Sequence, residues 1–422
     1  MDDVEHYLAS LTTVRSDPSE RLSIVRSTLD ILGEPQNAIP AIHIAGTSGK
    51  GSTAYYAAEL LNLAGYTVGL AVSPHVNSVA ERSQVNGKIL TEAIYCHHFS
   101  QFVSIASSHN LILSYVEFLT VFTYWLFARL KLDYIVIEVG LGGRLDPTNS
   151  ITREDTVRVI TDIGLDHTEI LGDTLPVITS EKAGIIHTGN VVVMHEQSRE
   201  VIAAVSAKAT TAHARLIIER CDQIEGSNLP AFQQRNWTLA HRAVVQRLPL
   251  DGRPNITPSA VISSREINIP GRFEHFTKDG VTIILDTAHN PQKISALTAG
   301  VASEYPSNRI ICMVAFGENK SSATQENLRI IRKITHTLIL TTFTSASGAG
   351  RGAISPRKIA TAAKAVGFTD SHITIIDDPY IALEKAVNLA RHTDRAVAVA
   401  GSFYLIDGVR ALLLRNAEGS KK

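Results

Sequence analysis

The sequence predicts an α/β protein with two domains, each built on a mostly parallel sheet. Short apolar stretches that fit buried strands alternate with stretches that fit helices, which is typical of a parallel sheet covered on both faces. A glycine-rich loop follows the first strand, and residues 252–270, with three prolines, interrupt the alternation before a second series begins. We therefore expect a domain boundary between residues 271 and 272.

The composition fits a folded chain in a reducing compartment. Of 422 residues, 44% are hydrophobic, which is enough for a packed core and excludes wholesale disorder. The formal net charge is -1, so a global nucleic-acid footprint is not expected. The three cysteines form no C-x-x-C pattern, and the N-terminus lacks the features of a signal peptide. We expect a cytoplasmic monomer with no nucleic-acid or membrane partner.

The elements follow in order along the chain. The first series is expected to contain strands at Ala41–Ala45, Thr67–Val72, Tyr134–Val139 and Val157–Ile163, and helices at Ser52–Ala64, Leu175–Ile186 and Ala231–Leu248. The second series is expected to contain strands at Val281–Leu285, Ile310–Val314, Thr337–Thr342, Ile373–Ile376 and Ala396–Ala400, with helices between them and at the C-terminus. Asn86-Gly87 between apolar residues predicts a tight type I′ hairpin turn.

The apolar segment Leu111–Ala128 imitates a membrane span. Glu117 would cost about 3 kcal/mol near the centre of a bilayer. Ser114-x-x-Glu117 is a capping-box pattern, so a helix is expected to begin near Tyr115. From there to Leu130 a helix spans about 24 Å, which is short for a hydrocarbon core of about 30 Å. We therefore predict a buried core helix.

The loop Gly46–Thr53 is the strongest local signal for chemistry. It lies between a strand and a helix, where loop amides and the helix N-terminus can bind phosphate oxygens. Lys50 would add a positive charge, and Ser52 or Thr53 a hydroxyl for Mg²⁺. The strict Walker pattern fails, because Ile44 and Gly51 stand where it requires glycine and a serine or threonine. The alternative is an ordinary glycine-rich turn.

Two further segments follow predicted strands and carry chemistry-bearing side chains. Glu138 ends a buried strand before a glycine loop, where a metal beside the phosphates could bind it, unless it pairs with Arg144. His167 follows the next strand, and Lys182 lies on the helix after it. Taken alone, His167 is more often structural and Lys182 is more often solvated.

The second domain opens with two segments of the same kind. Pro270–Glu274 is followed by Asp286 and His289 at the end of a strand. Asn290 and Pro291 fit the N-cap and first position of the next helix. Asp286 and His289 would then face a ligand. The alternative is a helix cap with a buried ion pair.

Two other patterns are interpreted as structural. Cys96-His97-His98 is not a zinc site, because adjacent residues point in different directions and no second ligand pair lies at metal spacing. Gly348–Gly352 resembles a phosphate loop but is interpreted as loop punctuation.

In this order, the segments resemble the folylpolyglutamate synthase / dihydrofolate synthase family of Mur-type ATP-dependent ligases. The resemblance runs from about residue 32 to residue 413. It is carried by GTSGKGST (46–53), SPH (73–75), ER and NGK (81–88), VEFLT (116–120), EVGLGGRLDPTN (138–149), GLDHTEILGDT (164–174), EKAGII (181–186), PGRFE (270–274), LDTAHNP (285–291) and GSFYLIDGVR (401–410). Each segment alone is weak to moderate, but the ordered set is specific.

The resemblance implies a fold and a reaction. Residues 1–271 would form a P-loop-type, ATP-binding Mur ligase central-type domain with a folate pocket. Residues 272–422 would form a smaller, Rossmann-like, glutamate ligase-type domain. ATP would phosphorylate a carboxylate of dihydropteroate or a (tetrahydro)folate. The α-amine of L-glutamate would attack this acyl phosphate, giving dihydrofolate or folylpolyglutamate, ADP and phosphate.

The resemblance also implies the roles of individual residues. ATP would contact Gly49, Lys50, Gly51, Ser52, Asn236, Arg272 and Asp286. The acceptor would contact Ser114, Tyr115, Val116, Glu117, Leu145, Asp146 and Pro147. Two Mg²⁺ ions would be held by Ser52, Ser73, Glu138, His167 and a carbamylated Lys182, with a monovalent cation such as K⁺ also bound. Lys50, Lys182 and His289 would be catalytic.

Three positions depart from the family pattern. Ser48 replaces a common asparagine, Pro147 a common alanine, and Tyr115 lies where phenylalanine is usual. These departures leave open a Mur-type ligase for another carboxylate, such as a peptidoglycan precursor. A P-loop switch or transporter ATPase is the third hypothesis, and the absence of a strict Walker motif argues against it.

Overall fold

The computed structural model describes residues 1–11, 17–75, 77–220, 224, 227–305, 310–344, 352–393 and 395–419, and for Asn319 and residues 416–419 it describes the backbone alone. These residues form two compact units, Met1–Ile267 (unit 1) and Asn268–Lys422 (unit 2). The division falls four residues before the expected boundary. Cys221, most of the Gly348–Gly352 loop and the end of the C-terminal tail lie outside the described residues.

The described part of unit 1 contains a seven-stranded sheet. Its strands are β1 (Ala41–Ala45), β2 (Val68–Ala71), β3 (Ser83–Val85), β4 (Tyr134–Glu138), β5 (Val157–Ile160), β6 (Val191–His195) and β7 (Arg215–Glu219). Their order is β3-β2-β4-β1-β5-β6-β7, and only the β2–β3 pair is antiparallel among these strands. Because carboxyl ends of parallel strands meet at one edge, the loops after β1, β2, β4 and β5 lie side by side.

Helices cover this sheet. They are α1 (Asp2–Ser10), α2 (Pro18–Ile31), α3 (Lys50–Leu63), α4 (Glu92–Ser108), α5 (Tyr115–Arg129), α6 (Thr168–Leu171), α7 (Leu175–Ala183), α8 (Arg199–Thr211), α9 (Ala231–Leu250) and α10 (Pro258–Ser263). Short 3-10 helices span Pro35–Asn37, Val79–Arg82 and Pro147–Ser150.

Helix α5 is the predicted core helix. It begins at Tyr115, and Ser114 and Glu117 form the predicted capping box. Phe118, Phe122 and Phe127 are almost fully buried in a cluster that includes residues of α1, α2 and α4. No helix among the described residues is long and apolar enough to cross a membrane.

Unit 2 contains a six-stranded sheet in its described part. The strands are β8 (Glu274–Lys278), β9 (Val281–Leu285), β10 (Ile310–Val314), β11 (Thr335–Leu340), β12 (Ile373–Ile375) and β13 (Ala396–Ala400). Their order is β12-β11-β10-β13-β9-β8, with only β8 antiparallel to its neighbour. The helices are α11 (Pro291–Glu304), α12 (Thr324–Ile331), α13 (Pro356–Ala365), α14 (Pro379–Thr393) and α15 (Phe403–Gly419), with 3-10 helices at Glu318–Ala323 and Asp370–His372.

Candidate active site

Two glycines shape the predicted phosphate loop between β1 and α3. Gly46 has a φ of 153° and Gly49 a φ of 88°. A Cβ at Gly46 would overlap with the Thr161 hydroxyl, and a Cβ at Gly49 would overlap with the Asn236 side chain. Only glycine therefore fits at either position. Asn236, which the resemblance implies as an ATP contact, lies against the phosphate loop.

Helix α3 begins at Lys50 directly after this loop, with Gly49 as its N-cap. The first-turn amides of a helix have no partner within the helix and suit an anionic phosphate. Ser52 and Thr53 are buried in this turn, and Thr53 Oγ1 has no hydrogen-bond partner among the described groups. The departure from the strict Walker pattern therefore leaves the arrangement of loop and helix intact.

The loop that follows β5 holds the phosphate loop in place. The amides of Thr47 and Ser48 donate to the carbonyl oxygen of Asp162 at 2.9 and 3.1 Å. The Thr47 hydroxyl donates to the carbonyl oxygen of Gly164 at 3.0 Å. The Asp162 carboxylate in turn forms an ion pair with Arg235 of α9 at 2.6 Å. The loop after β5 is thus bonded to the phosphate loop on one side and to helix α9 on the other, which holds the phosphate loop in place.

The predicted metal ligands Ser73 and Glu138 lie together at the ends of β2 and β4. The Ser73 amide donates to Glu138 Oε2 at 2.9 Å, and Glu138 is 6% exposed. Arg144, the alternative partner of Glu138, forms its ion pair with Glu181 of α7 instead, at 2.6 Å. The Glu138 carboxylate is therefore not committed to Arg144.

Lys182 is buried on α7 beneath the phosphate loop. Its Nζ donates to the carbonyl oxygen of Gly46 at 3.0 Å. The loop after β4 packs closely on the same helix, since a Cβ at Gly143 would lie 2.8 Å from the carbonyl oxygen of Lys182. The structure thus brings Lys182 to the loop, and does not leave it solvated.

His167 lies at the start of α6 in a left-handed backbone conformation, with a φ of 51°. Its Nδ1 is 3.7 Å from Glu169 Oε1. The residues that the structure describes include no group of three or more His, Cys, Asp and Glu side chains placed to hold a metal. The predicted ligand set contains only Glu138 and His167 of these types, and its metal-binding role remains a prediction.

A cavity of about 70 Å³ joins two of the predicted residue sets. It is lined by Ala71, Val72, Ser73, Arg82, Val116, Leu119, Thr120, Thr123, Tyr124, Ile137, Glu138, Gly140, Asp146 and Thr148. Ser73 and Glu138 come from the metal prediction, and Val116 and Asp146 from the acceptor prediction. Sequence reasoning gave no role to Arg82 or Thr148, although Arg82 lies in the ER segment that carries the resemblance.

The other residues of the predicted acceptor segments do not line this cavity. Glu117 is fully buried and accepts a hydrogen bond from the Ser114 amide at 2.8 Å, which closes the capping box. The Tyr115 ring lies 5.7 Å from the guanidinium of Arg82. Leu145 and Pro147 flank Asp146, and Pro147 opens a 3-10 helix. Their contacts with an acceptor remain predictions.

Asp146 is the buried carboxylate of this cavity. Its Oδ2 accepts from the Leu141 amide at 2.9 Å, and its Oδ1 accepts from the Thr148 amide at 2.9 Å. Burial raises the pKa of Asp146, while these hydrogen bonds and the charge of Lys50 act in the opposite direction.

In unit 2, Asp286 follows β9 and is 7% exposed. It accepts hydrogen bonds from the amides of Phe273 and Ala288, each at 2.8 Å. Burial raises its pKa to about 6, although the neighbouring Arg272 lowers it. The structure thus brings Arg272 and Asp286 together, as the prediction of shared ATP contacts requires.

His289 lies at the start of α11. Its Nδ1 is 2.8 Å from the carbonyl oxygen of Thr287 and must donate to it, so the neutral ring leaves Nε2 as an acceptor. Lys293 Nζ is 3.4 Å from this Nε2. Asn290 caps α11 and Pro291 occupies its first turn, which confirms the predicted helix start.

The Cys96-His97-His98 segment lies on α4. The His98 ring meets His97 at 5.5 Å and Trp125 at 6.3 Å between ring centroids, both edge to face. These contacts give His98 a packing role.

Comparison with known proteins places these features in context. Residues 271–403 match the family model "Mur ligase, glutamate ligase domain". A dihydrofolate synthetase of Saccharomyces cerevisiae is 30% identical over 91% of this chain and 95% of its own. A dihydrofolate synthase/folylpolyglutamate synthase of Escherichia coli is 31% identical over 75% of this chain and 76% of its own.

Solved structures give the same likeness over nearly the whole chain. A Mycobacterium tuberculosis folylpolyglutamate synthase complexed with ADP superposes with a TM-score of 0.84 at 27% identity, covering 97% of both chains. A bifunctional folylpolyglutamate synthase/dihydrofolate synthase of Yersinia pestis superposes with a TM-score of 0.79 at 26% identity, covering 97% of this chain and 98% of its own.

Proposed function

Because the chain belongs to the dihydrofolate synthase/folylpolyglutamate synthase family, we propose that it is an ATP-dependent ligase that joins L-glutamate to dihydropteroate, to a (tetrahydro)folate, or to both. The products are dihydrofolate or a folylpolyglutamate, with ADP and phosphate. Residues 1–271 are proposed as the ATP-binding domain with a folate pocket, and residues 272–422 as the glutamate ligase-type domain. We propose that the enzyme acts as a cytoplasmic monomer.

The cavity at the carboxyl ends of β2 and β4 is the observation that carries this proposal. Ser73 and Glu138, proposed metal ligands, share its wall with Val116 and Asp146, proposed acceptor contacts. An acyl transfer through phosphate needs the acceptor carboxylate and the γ-phosphate in one place. A pocket that borders both residue sets supports such a reaction more than simple ATP hydrolysis.

The phosphate loop and α3 supply the ATP site in this proposal. Gly49, Lys50, Gly51 and Ser52 bind the phosphates through the helix N-terminus and the charge of Lys50. Asn236 contacts the nucleotide from α9, beside Gly49. Arg272 and Asp286 of unit 2 are proposed as further ATP contacts.

We propose that two Mg²⁺ ions bind here, where they would neutralise charge on the transferred phosphoryl group. Ser52, Ser73, Glu138, His167 and Lys182 are the proposed ligands. Mg²⁺ prefers oxygen ligands, which the serine hydroxyls and Glu138 provide. A buried lysine ammonium would repel the metal, whereas carbamylation gives Lys182 a carboxylate-like end. A monovalent cation such as K⁺ is proposed in addition.

The chain's own groups then have distinct tasks. The oxide of a carboxylate is a poor leaving group, so phosphorylation of the acceptor carboxylate makes acyl transfer possible. Lys50 and the loop amides offset the negative charge that develops during phosphoryl transfer. His289 holds Nε2 as an acceptor nitrogen, because Nδ1 is bound to Thr287. We propose that this nitrogen, which lies 3.4 Å from Lys293 Nζ, exchanges that contact for the incoming amine of L-glutamate.

The test measures ADP release by the purified chain with Mg²⁺, ATP and L-glutamate. Dihydropteroate or tetrahydrofolate is expected to raise the rate well above the rate without acceptor. If neither raises it, the folate assignment fails. A panel of other carboxylates, including peptidoglycan precursors, then shows whether a different Mur-type acceptor is used.

A further inference from the structure

A chain of buried and partly buried hydrogen bonds runs from Arg158 on β5 to the cavity. Arg158 Nη1 lies 2.5 Å from Nδ1 of His43 on β1. His43 Nε2 lies 2.9 Å from the Thr148 hydroxyl, which lies 2.5 Å from Asp146 Oδ1. Arg158 and His43 are both 0% exposed. We call this series, Arg158–His43–Thr148–Asp146, the Arg158 chain.

The chemistry of the groups fixes the direction of every bond. A guanidinium only donates, so His43 Nδ1 must accept and the proton of the neutral ring is on Nε2. That N–H donates to the Thr148 hydroxyl, whose own proton is then directed to Asp146. Burial, together with the charge of Arg158, lowers the pKa of His43 well below its ordinary value, so the ring is neutral.

Arg158 cannot easily turn away from His43. Its Nε donates to Asn190 Oδ1 at 2.9 Å, and its Nη2 donates to the carbonyl oxygen of Ile151 at 2.8 Å. These two bonds come from outside the Arg158 chain and hold the guanidinium plane. The Arg158 chain therefore begins at a donor whose orientation is fixed.

At the other end, Asp146 receives donors only. Oδ1 accepts from the amide and hydroxyl of Thr148, and Oδ2 accepts from the Leu141 amide. A carboxylate has about four acceptor positions, so about one remains. Asp146 lines the cavity, where a bound molecule can reach that position.

We propose that Arg158, His43 and Thr148 are positioning residues that fix Asp146 as a hydrogen-bond acceptor for N–H groups on the ring of the acceptor substrate. This inference rests on the proposed function, since it assigns the cavity to that substrate. Among the described residues, the side-chain hydrogen bonds of the Arg158 chain lead to Asp146 and to none of residues 46–53.

Two matched pairs of variants test the proposal. Thr148→Val removes the hydroxyl with little change of shape, and Thr148→Ser keeps it. His43→Leu removes both ring nitrogens, whereas His43→Gln offers one acceptor and one donor at similar spacing. We expect Thr148→Val and His43→Leu to raise the KM for the acceptor about tenfold, the effect of one charge-assisted hydrogen bond. The KM for ATP should stay within about twofold, and the Ser and Gln variants should resemble the wild type.

A second readout does not depend on turnover. In ¹⁵N NMR of histidine-labelled protein, His43 should be a neutral ring protonated on Nε2. A proton on Nδ1, or equal acceptor KM values for the Thr148→Val and Thr148→Ser enzymes, overturns the inference. Should the wild type turn over no acceptor, the proposed function fails, and the His43 tautomer still decides whether the Arg158 chain has the stated direction.

Discussion

Lys182 Nζ donates a hydrogen bond of 3.0 Å to the carbonyl oxygen of Gly46, the first residue of the phosphate loop. A lysine is rarely buried without a functional or structural reason, and here it lies 4% exposed where metal-bound phosphates are proposed. Unmodified, it binds the loop; carbamylated, it offers oxygens to a metal. The two states of Lys182 therefore differ in how its substitution should change activity.

The Lys182→Ala enzyme should lose at least about 100-fold in acceptor-dependent ADP release, because it lacks the proposed metal ligand. A small added carboxylate, such as acetate, should restore part of the activity. Lys358 is exposed on α13 and provides the control. The Lys358→Ala enzyme should release ADP at the wild-type rate, and acetate should not change that rate. Full activity of Lys182→Ala would remove the metal-ligand role.

The Gly49→Ala variant should bind ATP at least about fivefold more weakly, because strain and overlap at such a position cost about 1–3 kcal/mol. The added Cβ meets Asn236. Gly65, just after α3, has a similar φ of 91° with open space around it, so Gly65→Ala carries the strain without the overlap. Calorimetric titration with ATP should separate the two variants. Equal ATP affinities would show that the loop tolerates a side chain.

Glu117 should matter for stability more than for catalysis. Glu117→Ala breaks the capping box of α5 and empties a buried position, and should lower the free energy of unfolding by about 1–2 kcal/mol. Glu117→Gln keeps the cap and should lose less. Urea unfolding measures both, and acceptor KM is measured in parallel. A rise in KM with unchanged stability would instead support the direct acceptor contact that the resemblance implies.

His187 should make the fold less stable in mild acid. Burial, aided by the charge of Arg158, lowers its pKa to about 4, while the unfolded chain keeps the ordinary value of about 6.5. Between these two values the unfolded state binds more protons, so the free energy of unfolding falls as pH falls. Urea unfolding at about pH 7 and about pH 5 should show a smaller drop for His187→Gln than for the wild type. Equal drops would mean that His187 does not contribute.

The fold could be predicted from the sequence where the apolar pattern is unbroken. Strands β1, β9, β10 and β13 match their predicted bounds residue for residue. Strands β7 and β8 do not follow from the pattern, because they are edge strands with polar and partly exposed residues, and the apolar run of β6 is too short to indicate a strand by itself. Helix α3 begins at Lys50 and not at Ser52, because Gly49 alone provides the cap.

The candidate site could be predicted from the sequence only as separate segments. Local sequence identified the phosphate loop and Glu138 from their places at strand ends, whereas Asp146 was implied by the family resemblance alone. It could not show that Thr148 and His43, which are 105 residues apart, hydrogen-bond to each other. It predicted the Ser114–Glu117 cap, which is local, but could not show that Arg82 lines the cavity. Such relationships depend on packing between distant strands.

The most direct measurement is the mass of the product formed from ATP, L-glutamate and each acceptor in turn. We expect dihydropteroate, tetrahydrofolate or both to gain one or more glutamyl residues, with one ADP released for each. ADP release without a glutamylated product, or no product from either acceptor, would contradict the proposed function.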